Sequence, residues 1–177
     1  MRTPEADAAG QAVINIMNRF VPPTKSQVVQ VFSHEDGTVT VGISGNLDAR
    51  STVDRIQRLQ SAFNDAFGSD LYFVSAKTLD GSAGVVRGYS EDGTKFGNEP
   101  GVCAEPKASI GAARTGSPIT GSATLWRGAG PNPYPFEGAN ATTLSGNQMG
   151  PCLTCALRSN QQIYNNASSS GNDSRGF

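Results

Sequence analysis

Three cysteines are the whole thiol content of this 177-residue chain. They fall into two short motifs, Cys103-Ala104-Glu105 and Pro151-Cys152-Leu153-Thr154-Cys155. A tetrahedral catalytic zinc takes three protein ligands and keeps its fourth position for water, with Zn–S contacts of ~2.3 Å. Cys103, Cys152 and Cys155 would be those ligands. Residues three apart in the first turn of a helix share a face, so Cys152 and Cys155 can chelate one ion if Pro151 marks a helix start, a position that suits proline. A thiolate at a helix N-terminus is stabilised by the macrodipole and the unpaired N–H groups, which readies it for a metal. Cys103 opens a second predicted helix, because Pro106 is tolerated in a first turn and the stretch from Ala104 to Ala113 is rich in alanine. Glu105 is not needed as a fourth ligand and would instead carry protons for the activated water. The chemistry implied is zinc-assisted hydrolysis.

Other readings of the same residues make different demands. A Cys-x-x-Cys redox pair would leave Cys103 beside Glu105 as a coincidence and would call for a strand before the motif. A closed structural zinc site needs a fourth protein ligand, and the sole histidine, His34, sits in an apparent hairpin beside Glu35-Asp36-Gly37, where a surface position is expected. A fold that holds zinc without turnover is opposed by the intact Glu105.

The two motifs resemble those of the cytidine deaminase superfamily: His or Cys, any residue, Glu, then Pro-Cys-x-x-Cys, with a three-cysteine variant. A wider set is similar to the deaminases of bacterial polymorphic toxin systems, the YwqJ-like and related groups. It comprises Val41-Gly42-Ile43-Ser44-Gly45, Cys103-Ala104-Glu105-Pro106-Lys107-Ala108, Leu125-Trp126-Arg127-Gly128, Asn132-Pro133-Tyr134-Pro135 and Met149-Gly150-Pro151-Cys152, and spans about Gln27 to Asn160. The resemblance implies a cytidine-deaminase-like α/β/α sandwich around a mixed sheet, Zn²⁺ as cofactor, Cys103, Cys152 and Cys155 as ligands and Glu105 as the catalytic proton carrier. It implies deamination of cytosine to uracil in single-stranded nucleic acid, with DNA favoured. It also implies a delivered toxin domain acting in the cytoplasm of a target cell, with a cognate immunity protein as a possible partner. The alternatives are a free cytidine or nucleotide deaminase, since those enzymes also use a Cys-Ala-Glu first motif, and a zinc-stabilised interaction module. Two departures stand out: Cys103 and Cys152 lie 49 positions apart, and little chain follows the second motif.

Substrate contacts are less well marked. Trp126, Tyr134 and Phe136 lie in or beside the stretch between the two metal motifs, where an exposed aromatic could stack an extruded base. Trp126 is equally readable as strand core, and Pro133-Tyr134-Pro135 as a stiffened loop. Ala104 could offer a backbone donor at the helix start, and Asn46 could contact a sugar or phosphate or cap the next helix.

Length and composition suit one domain, residues 1–164, followed by a Ser/Asn/Gly-rich tail over 165–177 expected to be disordered. Hydrophobic residues make up 37% and aromatic residues 7%, with 21 glycines, the profile of a loop-rich globular chain. No apolar run approaches the ~20 residues needed to span a bilayer, and no signal-peptide core opens the chain. The net charge of −1 divides unevenly, with 9 basic and 12 acidic residues in 1–102 against 5 and 3 in 103–177. That bias would permit a short single-stranded substrate and disfavours tight duplex binding.

The elements that would position the motifs follow from periodicity. Thr3-Pro4-Glu5 reads as an N-cap and first turn, with Val13, Ile14, Met17 and Phe20 on one apolar face and Pro22-Pro23 as the stop; residues 1–24 form this helix and a linker. The valine-rich stretches Gln27–Ser33 and Thr38–Ser44 read as a hairpin. Ser51 with Asp54 resembles a capping box, ahead of Val53, Ile56, Leu59, Phe63 and Phe67 at helical spacing as core residues. Further strands are expected over Leu71–Ala76, Ala83–Tyr89 and Ser122–Arg127, with a long loop from Gly128 to Gly150.

Overall fold

The computed structural model describes residues 3–20, 27–45, 53–68, 71–74, 87–95, 103–128, 155 and 158–170. Their elements run α1 (Pro4–Phe20), β1 (Gln27–His34), β2 (Val39–Ile43), α2 (Val53–Phe67), β3 (Leu71–Val74), α3 (Ala104–Thr115), β4 (Ile119–Arg127) and α4 (Arg158–Ser170). The four strands form one sheet in the order β3-β2-β1-β4. β1 is antiparallel to both β2 and β4, with Val31 opposite Val41 and Ala123, while β3 adds parallel to β2. The class is α/β with a mixed sheet.

Alternation along the strands divides the helices between two faces. Val29 and Val31 of β1, Val41 and Ile43 of β2, and Ala123 and Leu125 of β4 share one face. They form a buried cluster with Val13, Ile14 and Met17 of α1 and Leu59 and Phe63 of α2. The intervening residues Gln30, Gly42 and Thr124 are paired across the strands on the other face, and there α3 is seated. α4 in turn packs on α3.

Local chemistry explains the element ends. Thr3 caps α1, its Oγ1 accepting from the Ala6 N–H at 3.3 Å. The β1–β2 turn is closed by Asp36, whose Oδ1 accepts from the Thr38 N–H at 3.0 Å and from the Thr38 hydroxyl at 2.6 Å, with Gly37 at φ 87°. These bonds hold the exposed Asp36 carboxyl below its ordinary value, the Thr38 hydroxyl contributing most. α3 ends on Gly116 in the left-handed region at φ 68°, which frees the chain to turn through Pro118 into β4.

Several sequence expectations change. His34 is buried, not a surface residue: Nδ1 lies 2.9 Å from the Ser117 carbonyl and Nε2 lies 2.8 Å from Thr40 Oγ1. A carbonyl only accepts, so Nδ1 carries a proton and the ring locks the hairpin to the C-terminal end of α3. Val53, the first residue of α2, is exposed, whereas Leu59 and Phe63 are buried as expected. β4 begins at Ile119, three residues before its expected start, since its pairing with β1 continues to His34 through an irregularity. Residues 165–170 continue α4 instead of starting a tail; docking of the preceding turns on α3 supplies what their weak helix propensity does not. Asn46, Ser51, Pro22, Pro23 and most of the expected strand over 83–89 lie outside the described residues.

The spacing between α3 and the sheet depends on Gly42. A Cβ there would stand 2.5 Å from the Ala108 N and closer still to the Ala104 carbonyl oxygen, both backbone atoms that cannot step aside. At Gly10 of α1 the nearest atom is instead the end of the Leu125 side chain. Gly42→Ala is therefore expected to lower stability by about 1–3 kcal/mol or more through overpacking. Gly10→Ala should lose less, because helix propensity returns up to about 1 kcal/mol. Urea unfolding of the two variants beside the parent measures the difference.

Candidate functional site

α3 reads Ala-Glu-Pro-Lys-Ala-Ser-Ile-Gly-Ala-Ala-Arg-Thr, and nearly all of it is buried. A helix so placed needs small side chains on both flanks, toward β2 on one side and α4 on the other. Cys103 is its N-cap residue, with extended backbone at φ −66°, ψ 155°, and the sulfur caps nothing. Pro106 sits in the first turn, where its missing N–H has no helical acceptor to lose. Glu105, half-buried, lies in the same turn.

The second cysteine arrives from a distant part of the sequence. Cys155, which is helical, packs with Cys103 and with Tyr164 of α4 in one buried cluster, and neither cysteine is in a disulfide. Tyr164 senses all three expected functional groups that the structure describes. Burial pushes its phenol well above the ordinary tyrosine value, and the negative charges of Cys155, Cys103 and Glu105 push it further. Its hydroxyl oxygen is buried and has no hydrogen-bond partner of normal geometry among the described residues. The thiols, the carboxylate and the phenol therefore converge at the N-terminal end of α3.

Thiolates are the donors zinc prefers, and two buried ones meeting at a helix N-terminus fit such an ion. Among the described residues no three His, Cys, Asp or Glu groups form a ligand set. Cys152, the third expected ligand, lies outside the described residues. His34 belongs to the other end of α3, across 12 residues of helix, or roughly 18 Å, and takes no part.

Two buried cations shape the surroundings, and the sequence reading did not assign them a role. Lys107 has no exposed surface and donates from Nζ to the carbonyls of Ile43 and Gly45, each at 2.7 Å. Gly45, at φ 88°, turns the chain as it leaves β2, and Ser44 completes the strand end by accepting the Val28 N–H at 2.7 Å. Lys107 thus ties the exit of β2 to the turn of helix that carries Cys103 and Glu105. Arg127 is equally buried at the end of β4, donating to Asn18 at 3.0 Å and to Gln27 at 2.5 Å. Burial lowers its pKa. It joins α1 to the start of β1. The available signal was a charged residue set among small or apolar ones, Pro-Lys-Ala-Ser-Ile and Thr-Leu-Trp-Arg-Gly.

These placements alter the substrate expectations. Trp126 is only 4% exposed on β4, so it occupies the strand-core position and offers no open face for stacking. Ala104 is buried under β2. Of the five basic residues from 103 onward, Lys107 and Arg127 are internal, which leaves three to set against three acidic residues. Two of the charges that make this half positive are therefore internal. Tyr134, Phe136 and Asn46 lie outside the described residues.

No protein-family model, no curated protein and no solved structure matches this chain. The site is accordingly read from its own residues.

Removing the Lys107 head group strands two inward-facing carbonyls. Lys107→Met should cost about 2–5 kcal/mol of stability, the range for losing charge-assisted bonds and leaving buried acceptors unmet, as measured by denaturant unfolding at fixed pH.

Proposed function

We propose that this protein is a zinc-dependent hydrolytic deaminase of the cytidine-deaminase-like fold and bacterial toxin type, converting cytosine to uracil in single-stranded nucleic acid. The observation that carries the reading is the meeting of Cys103 and Cys155, 52 positions apart, beside Glu105. Helices on both faces of a mixed sheet, with the first metal motif starting a helix packed on that sheet, support the fold assignment.

Cys103 and Cys155, with Cys152 as the third thiolate, would hold the ion, and zinc would supply the Lewis acidity that makes water a nucleophile at neutral pH. Glu105 takes one proton from water as the hydroxide oxygen adds to C4 of cytosine. It passes that proton to N3, then takes the second proton from the hydroxyl left on C4 and hands it to the exocyclic nitrogen, which departs as ammonia while the C4 carbonyl of uracil forms. The start of α3 suits this sequence, because its N–H groups and macrodipole face the charge that gathers there. Packing by α4 keeps the thiols from solvent.

A free nucleoside substrate is the second reading. The internal positions of Lys107, Arg127 and Trp126 favour it, since they remove exposed charge and an aromatic face that a polynucleotide would use. Nucleic acid remains the first choice on the strength of the motifs between residues 125 and 152 that resemble toxin deaminases.

The purified protein should contain one zinc, and Cys103→Ser, Cys152→Ser and Cys155→Ser should each lower occupancy, as metal analysis will show. Metal-free protein under reducing conditions would end the zinc reading. Incubation with cytidine, single-stranded DNA, duplex DNA and RNA in parallel, scored for uracil and ammonia, assigns the substrate. Uracil in single strands is expected; turnover of cytidine alone would transfer the site to the nucleoside class, and zinc without any turnover would leave an interaction module. Glu105→Ala should retain zinc and fold while turnover falls about 10²- to 10⁴-fold, the usual contribution of a positioned proton carrier.

A further inference from the structure

α4 is a polar helix, Arg-Ser-Asn-Gln-Gln-Ile-Tyr-Asn-Asn-Ala-Ser-Ser-Ser, whose one aromatic residue is Tyr164. Asn160 and Tyr164, four apart, are both buried, and α4 lies on α3. Tyr164 is 2% exposed. A tyrosine packed for its ring alone usually keeps its hydroxyl in water or bonded to a nearby acceptor. Here the hydroxyl is shut away in the cluster formed with Cys103 and Cys155, with no hydrogen-bond partner of normal geometry among the described residues. A buried donor in such a place calls for an acceptor that is strongest when the site is in its working state.

We propose that Tyr164 is a positioning residue of the thiolate centre, its hydroxyl donating a hydrogen bond to the Cys155 sulfur when the cysteines are ionised around zinc. The inference rests on the zinc reading above and deepens it. Three thiolates around a divalent ion leave a net negative centre, which weakens the Lewis acidity that the reaction requires. A donor to one sulfur draws charge away from the metal, fixes the orientation of that ligand and raises the affinity of the set. Phenylalanine would fill the same volume, so the hydroxyl is the part of the side chain that packing does not explain.

Tyr164→Phe isolates that hydroxyl. The variant should fold, with one zinc per chain, but lose zinc to a competing chelator with about 10- to 100-fold weaker affinity, the usual effect of removing a partner of a metal ligand. With cobalt(II) in place of zinc, the sulfur-to-metal charge-transfer band should move to longer wavelength, because a thiolate without its donor gives up an electron more easily. kcat should fall while KM holds. Should the variant not fold, 3-fluorotyrosine at position 164 supplies a stronger donor in the same shape, and the band should then move to shorter wavelength. An unshifted band and unchanged zinc affinity in a folded Phe variant, or an unshifted band with fluorotyrosine, would overturn the proposal while leaving the deaminase reading intact. A parent protein that binds no metal would remove both.

Discussion

The close seating of α3 on β2 governs the rest of the molecule. At Gly42 the strand and helix backbones approach to a distance that no side chain permits. Such proximity brings the Lys107 ammonium within reach of the Ile43 and Gly45 carbonyls, so a buried charge is satisfied by main-chain acceptors. It also sets the height of Cys103 and Glu105 over the sheet, because both lie in the same first turn. A helix with larger residues could not occupy the layer between β2 and α4, which is why alanine, glycine and serine dominate its sequence.

Two ends of one helix carry different duties. At the C-terminal end of α3, His34 joins Ser117 and Thr40 in a network that fastens the β1–β2 hairpin. The N-terminal end gathers two thiols, a carboxylate and a phenol. The macrodipole favours anions at one end and proton-bearing groups at the other. The same element therefore stabilises the scaffold with one terminus and concentrates negative charge on the other, where a cation is the natural complement.

Two large side chains of the second half of the chain are turned inward. Arg127 and Trp126, adjacent on β4, are both internal. Arg127 holds Asn18 and Gln27 and so links α1 to β1. Trp126, readable in sequence as either strand core or a stacking face, is interior, and its neighbour Arg127 is a brace between layers.

Much of this was open to reading from residue order alone. Alternation of valines located β1 and β2, 3.6-residue spacing located α1 and α2, and proline with alanine located α3, because those signals lie within each element's own residues. The metal motifs named Cys103, Cys155 and Glu105 from chemistry that depends on residue type. Other features depended on contacts between elements far apart in sequence. His34 looked like a turn residue until Ser117 closed over it, and Lys107 and Arg127 looked like surface charge until strand and helix carbonyls and amides enclosed them. Tyr164 lay in a polar stretch with no periodic signal, and only the packing of α4 on α3 brought its hydroxyl to the thiols. Local sequence determines which elements form; which polar groups become interior is decided by the partner that covers them, and that partner is set by tertiary structure.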